Sequence, residues 1–207
     1  MLQIFKKEDT NLESMAYIFI GRSGCGKGTQ VELFKKNLGE NSSAKILHIE
    51  TGSSFREFIK TDSFIAKLSK QTVESGGLMP ACTAVNLWVN YLIAHYTGHE
   101  NMIFDGAPRK YEEAPMLGEM LVFLGIKNYK VIHINTSREW CTARLLARGR
   151  KDDSAEGIKK RMDWYDIEVS RSINFFETDS NCECIDVNGE QTIEQVHEEL
   201  IKKVFHK

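Results

Sequence analysis

Short runs dense in apolar residues alternate along the chain with longer stretches in which apolar positions recur every three or four residues. Five runs carry the β-branched and aromatic residues that suit a pleated, buried surface: AYIFIG (16–21), AKILHIE (44–50), NMIFD (101–105), YKVIHIN (129–135) and the weaker CECIDV (182–187). Between them the spacing becomes helical. Val31, Phe34 and Leu38 form one stripe; Val85, Leu87, Trp88, Tyr91 and Leu92 predict a well-buried helix, as do Leu117, Met120, Leu121 and Leu124. In the charge-rich stretch 155–176, Ile158, Met162, Tyr165 and Val169 recur at three or four residues. A last helix over about 192–205 follows an Asn-Gly turn, with Thr192 as its N-cap. Strands alternating with helices predict an α/β fold: a parallel sheet of about five strands, covered by helices on both faces. Such sheets bind ligands at the carboxyl ends of their strands.

Composition narrows the class without changing the architecture. At 207 residues, with 42% apolar and 27% charged positions, the chain suits one domain over 1–207 with a sizeable core. A net charge of −2 argues against a general nucleic-acid or membrane-surface binder. No apolar run approaches the ~18 residues of a membrane span, and MLQIFKKEDTNLES lacks a long apolar stretch. The five scattered cysteines read as reduced thiols, and a cytoplasmic location is expected. Cys182 and Cys184 are expected on opposite faces of their strand. No other Cys or His pair is spaced to complete a metal site with them.

The candidate chemistry begins in FIGRSGCGKGTQVELF, residues 19–34. Gly21-x-x-x-x-Gly26-Lys27 follows a strand and precedes a helix, the context a phosphate-binding loop requires. Glycines let several N–H groups turn toward one anion, while the helix start and Lys27 add positive charge. The residue after the lysine is Gly28, and the hydroxyl comes one position later, at Thr29.

That arrangement closely resembles the P-loop of the adenylate kinase family of nucleoside monophosphate kinases. The resemblance implies a P-loop NTPase-type sheet in which Gly24, Cys25, Gly26, Lys27, Gly28 and Thr29 hold the phosphates of ATP. Four further motifs follow in the family's order. HIETGSSFR (48–56) resembles its HxxTGDxxR, so Thr51 and Arg56 are implied to hold the acceptor monophosphate, with Ser53 replacing the usual acid. ESGGLMP (74–80) resembles the stretch whose backbone, here Gly77, Leu78 and Met79, lines the acceptor base. NMIFDGAPR (101–109) resembles the strand ending in DGFPR, with Ala107 in place of the aromatic. It implies that Asp105 and Thr29 hold Mg2+ through water, and that Gly106 and Arg109 meet the acceptor. In RLLARGRKDD (144–153) and the following helix, Arg144, Arg148, Arg150 and Arg161 match the arginines that neutralise both nucleotides. Arg144 and Arg148, four apart, share a helical face. Lys27, Arg109, Arg144, Arg150 and Arg161 are the implied catalytic set; Arg144, Arg148 and Gln191 belong to the ATP side, Arg150 and Arg161 also to the AMP side. The resemblance further implies a monophosphate-binding segment over about 51–80 and a short lid over about 148–155. Near Cys141 there is no four-ligand set, so no lid zinc is expected.

Adenylate kinases read adenine with a glutamine four residues after the DGFPR arginine, and that position is Glu113 here. An ionised carboxylate only accepts hydrogen bonds. Three readings stay open: Glu113 holds a proton and imitates glutamine, it meets only the 6-amino group, or the acceptor is not AMP. A solvent-facing Glu113 is the bland alternative. The expected reaction is reversible phosphoryl transfer from ATP to AMP. The alternatives are a CMP/UMP or GMP kinase of the same fold, or a non-catalytic nucleotide sensor. A monomer is expected, because the core helices account for the apolar stripes.

Overall fold

A computed structural model describes residues 14–150 and 153–205. Its elements run β1 (Ala16–Gly21), α1 (Lys27–Asn41), β2 (Ile46–Glu50), α2 (Thr51–Phe58), α3 (Phe64–Glu74), α4 (Ala81–His95), β3 (Asn101–Asp105), α5 (Glu113–Phe123), β4 (Tyr129–Asn135), α6 (Arg138–Arg148), α7 (Ala155–Trp164), a π-helical turn (Tyr165–Val169), α8 (Ser170–Thr178), β5 (Cys182–Asn188) and α9 (Ile193–Phe205). The five strands form one parallel sheet in the order β2-β3-β1-β4-β5.

The central strands are buried on both faces, which is why their sequences read as continuous apolar runs. From β1, Ile18 and Ile20 point into a core shared with Trp88 and Leu92 of α4, Leu117 and Leu121 of α5 and Phe176 of α8. Tyr17 and Phe19, one residue out of phase, enter a second core with Val31, Phe34 and Leu38 of α1, Cys141 and Leu145 of α6, and Val196 and Leu200 of α9. Strand alternation thus builds two layers of helix around one sheet.

Local chemistry fixes the ends of the elements. The side chains of Ser63, Ser137 and Ser154 cap α3, α6 and α7. Thr192 Oγ1 accepts from Gln195 N at 3.3 Å, capping α9 as its position predicts. The carboxyl ends of β1, β2 and β3 run into the glycine loop, Thr51 and Asp105 respectively. The resembling motifs therefore gather at one edge of the sheet.

Two expectations need correction. Cys182 and Cys184 lie on the same face of β5, their sulfurs 3.8 Å apart, because positions two apart in a strand repeat its period. Nor are the apolar positions all accounted for, since Phe64, Ile65 and Leu68 of α3 are exposed. The helical spacing read over 155–176 holds, with Ile158, Met162, Tyr165 and Val169 all buried and a π turn inserted between α7 and α8. Among the described residues no helix is long and apolar enough to cross a membrane.

Candidate functional site

The glycine loop turns between β1 and α1 with Gly24 and Gly26 at φ of 88° and 92°, where a side chain would be strained. Gly24 has a second constraint: a Cβ there would stand 2.9 Å from the Cys141 carbonyl oxygen and 2.9 Å from Leu145 Cγ of α6. The loop is thereby pressed against α6. Burial pushes the thiol of Cys25 up to about 11, so it stays protonated as a small packed side chain. Thr29 and Gly28 are exposed in the first turn of α1.

Lys27 Nζ donates to Asp105 Oδ1 at 2.7 Å, joining the loop to the end of β3. Burial works against ionisation of Asp105, but the Lys27 ammonium outweighs it and holds the carboxyl below the usual range. Behind it, His48 of β2 sits with Nε2 4.0 Å from Asp105 Oδ2. Burial and then the Lys35 ammonium lower the His48 pKa, which keeps it neutral.

Two guanidinium groups from different elements meet over Gly52. A Cβ on that glycine would lie 3.3 Å from Arg56 Nη1 and 3.4 Å from Arg109 Nη2. Arg109 is aimed by a bond from its Nε to Gly106 O at 2.8 Å, and Arg56 by Glu50 at 2.8 Å. Burial depresses the Arg109 pKa; Glu113 and Asp105 oppose that, while Arg56 and Arg161 are near enough to reinforce it. Beside this pair the buried hydroxyl of Thr51 has no hydrogen-bond partner. Gly77, Leu78 and Met79 lie in the loop joining α3 to α4. There Gly76, at φ 75°, packs so closely on α7 that a Cβ would come within 2.7 Å of Gly157 O. Trp164 Nε1 donates to Gly76 O at 3.1 Å, closing the same contact.

Glu113 is buried, with 2% exposure, so it does not face solvent. Its two oxygens accept from the N–H groups of Arg109 and Lys110 at 3.3 and 3.2 Å. Burial pushes its pKa up to about 7 against those bonds and the nearby cations.

Arg148, at the end of α6, makes a two-pronged bond to Asp153, each contact 2.9 Å. Arg161 Nη2 reaches the same carboxylate at 2.7 Å, and Arg150 contributes its N–H at 3.1 Å while its side chain is exposed. Asp153 is fully buried, and although burial opposes it, the bonds from Arg148 and Arg161 hold it ionised far below its ordinary pKa. Arg144 lines a shallow cavity with Cys25, Gly26, Thr29, Gln30 and Gln191, which brings part of the expected ATP set together. Residues 151 and 152 of the expected lid lie outside the described residues.

Three residues escaped the sequence reading. Arg22, inside the glycine loop, donates to Thr136 O at 3.0 Å, pairs with Asp166 and lies 4.2 Å over the Tyr165 ring. The π turn aims Tyr165 and Asp166 at it, and a π turn leaves no clear mark on apolar spacing. Asp153 was legible only as an acid after the arginine run. Trp164 falls outside the set Ile158, Met162, Tyr165 and Val169 that the apolar spacing picks out.

A family model described as adenylate kinase matches residues 19–181. The chain is 32% identical over 183 residues to adenylate kinase 1 of Nostoc sp., covering 88% of this chain and 95% of that protein. It is 30% identical over 187 residues to adenylate kinase 1 of Synechocystis sp., covering 90% and 95%. With the adenylate kinase of Parabacteroides distasonis it shares 31% identity over 183 residues, covering 86% and 92%.

Proposed function

Because this chain belongs to the adenylate kinase family of nucleoside monophosphate phosphotransferases, we propose that it moves the γ-phosphate of ATP to AMP, reversibly, giving two molecules of ADP. One observation carries the reading. Arg56 and Arg109 converge over Gly52, beside an unpartnered buried hydroxyl on Thr51. Bringing like charges together in a partly desolvated cleft costs free energy unless an anion takes its place among them. A monophosphate supplies the charge and the acceptor for the Thr51 O–H.

The donor lies along the glycine loop. Its N–H groups and Lys27 take the β- and γ-phosphates, while Arg144 and Gln191 flank the nucleoside. Thr29 and the ionised Asp105 are a hard-oxygen pair suited to Mg2+ through water. An Mg2+ ion held there would supply positive charge against the negative charge that develops on the donor phosphates. Arg148 and Arg161, pre-aligned by Asp153, face the transferring group, with Arg150 joining from the loop. The attacking phosphate oxygen is already anionic, so positioning and charge stabilisation suffice without a general base. The segment 51–80 and the short lid at 148–155 exclude water, which would otherwise hydrolyse ATP.

AMP is favoured because burial raises the Glu113 pKa to about 7, so a substantial fraction of the carboxyl keeps its proton near neutrality. A protonated carboxyl offers one donor and one acceptor, matching N1 and the 6-amino group of adenine. Once ionised, it suits the paired donors of guanine instead. The test is a coupled assay with ATP against AMP, CMP, UMP and GMP. AMP turnover should exceed the others by at least tenfold; a different preferred acceptor overturns the base assignment, and inert behaviour toward all four overturns the enzyme reading.

A further inference from the structure

On the edge strand β5, away from the nucleotide cleft, Cys182 and Cys184 stand side by side, with Sγ atoms 3.8 Å apart. Cys182 is half-buried against the margin of one core, and Cys184 is exposed. Two outcomes are open to such a pair: a disulfide, or the joint capture of a soft ion. Distances decide between them. Positions two apart on a strand have Cα atoms about 6.7 Å apart, at the upper limit of the ~4.4–6.8 Å that a disulfide tolerates. The strand has little freedom to shorten, because Cys182 and Cys184 are in register with Tyr129 and Val131 of β4. At the ~2.3 Å of a zinc–thiolate bond a cation bound to both sulfurs would subtend an S–M–S angle of about 110° without moving either atom, and the longer bonds of a larger soft cation would close it to roughly 100°. That angle is what tetrahedral or trigonal coordination asks for.

We propose that Cys182 and Cys184 form a two-thiolate binding site for a soft d10 cation of the cuprous or cadmium type. Among the described residues no three His, Cys, Asp or Glu side chains converge as ligands. The remaining coordination positions therefore belong to water or a small thiol on the exposed side of Cys184. Thiolate pairs select soft ions over Mg2+, so the site does not compete with the nucleotide's metal. Binding releases the two S–H protons to solvent: a cation of charge n+ plus two thiols gives a dithiolate complex of charge n − 2 and two H+.

The test uses the full chain, reduced, titrated with Cd2+ under an inert atmosphere. One Cd2+ should bind per chain with a sulfur-to-cadmium charge-transfer band and two protons released. Cys182→Ser and Cys184→Ser should each weaken binding more than tenfold, while Cys82→Ser, altering another exposed thiol, changes nothing. Phosphotransfer with Mg2+ and ATP should stay within twofold in both β5 variants, which separates this site from the reading above. Should a serine at 182 perturb the sheet, intact protein gives a second readout: one equivalent of Cd2+ protects both thiols together from alkylation. Unchanged binding in Cys184→Ser overturns the proposal. So does failure to retain Cd2+ in a chain that a small disulfide readily converts to a Cys182–Cys184 bridge.

Discussion

Replacing Glu113 by glutamine tests its proposed base-reading role through stability as well as turnover. The carboxyl is 2% exposed, and burial raises its pKa from the ordinary 4.5 to about 7. The sign follows from proton counting. Between pH 4.5 and 7 the folded chain keeps a proton on Glu113 that the unfolded chain has released. This contribution is whole below pH 4.5, falls by about 1.4 kcal/mol per pH unit, and is gone above pH 7. Across that window it amounts to about 3 kcal/mol. Glutamine cannot titrate. Its oxygen satisfies one of the two N–H groups of Arg109 and Lys110, while its NH2 opposes the other, at a pH-independent cost of about 1–3 kcal/mol. Groups such as Asp105 and Asp153 titrate in both proteins and cancel in the difference. Urea unfolding at pH 5 and pH 8 should therefore show Glu113→Gln less stable at pH 5, with the gap narrowing by about 2–3 kcal/mol, or reversing, at pH 8. In the coupled assay the KM for AMP should rise above pH 7 in the native protein and stay level in the variant. Parallel stability curves would refute the argument, because they would mean that Glu113 titrates alike in both states.

Other substitutions probe the remaining parts of the cleft. Lys27→Met should fold normally yet lose at least ~100-fold in kcat/KM, with the Asp105 carboxyl pKa rising once its ammonium partner is gone; carboxylate NMR reads the second effect. Arg109→Ala should cost at least ~100-fold in kcat/KM but little in thermal stability, and near-native turnover would remove it from the acceptor grip. Asp153→Asn should destabilise by about 3 kcal/mol at pH 7, because Arg161 is left buried beside a neutral partner. In the native protein Asp153 has a lowered pKa, so that stability is present above its ordinary 3.8 and lost as pH falls below it; the gap between the two proteins should close in acid melts. Gly76→Ala combines a positive φ with a 2.7 Å approach to Gly157 O, and about 1–3 kcal/mol of destabilisation should follow, seen together with a shift in Trp164 fluorescence.

Strands were the most legible elements, because each central one must be apolar on both faces and ends at a glycine or a polar residue. The runs at 16–21, 101–105 and 129–135 match β1, β3 and β4 residue for residue. The run at 44–50 begins two residues before β2 does. The glycine loop was legible because positive φ and backbone packing leave few other residues able to stand at Gly24. What escaped depends on contacts between distant parts of the chain. Arg22 reads as a loop charge until the π turn brings Asp166 and Tyr165 to it. The burial of Glu113 depends on its reaching back to the Arg109 and Lys110 amides, which composition does not encode. Cys182 and Cys184 were misread for a simpler reason: the period of a strand puts them on one face, not two. The exposed Phe64, Ile65 and Leu68 show that helical spacing identifies an apolar face without saying what lies against it.

The 2.7 Å contact between Lys27 and Asp105 has a consequence for how the cleft fills. A cation drawn to Asp105 meets an ammonium already bonded to one of its oxygens, and a phosphate drawn to Lys27 meets a carboxylate already bonded to it. Each exchange alone strands one charge; arriving together as a metal–nucleotide unit, the two newcomers satisfy both residues in a single swap. Under the proposed function, the handshake across the sheet edge is an admission rule that favours the loaded nucleotide over either component on its own.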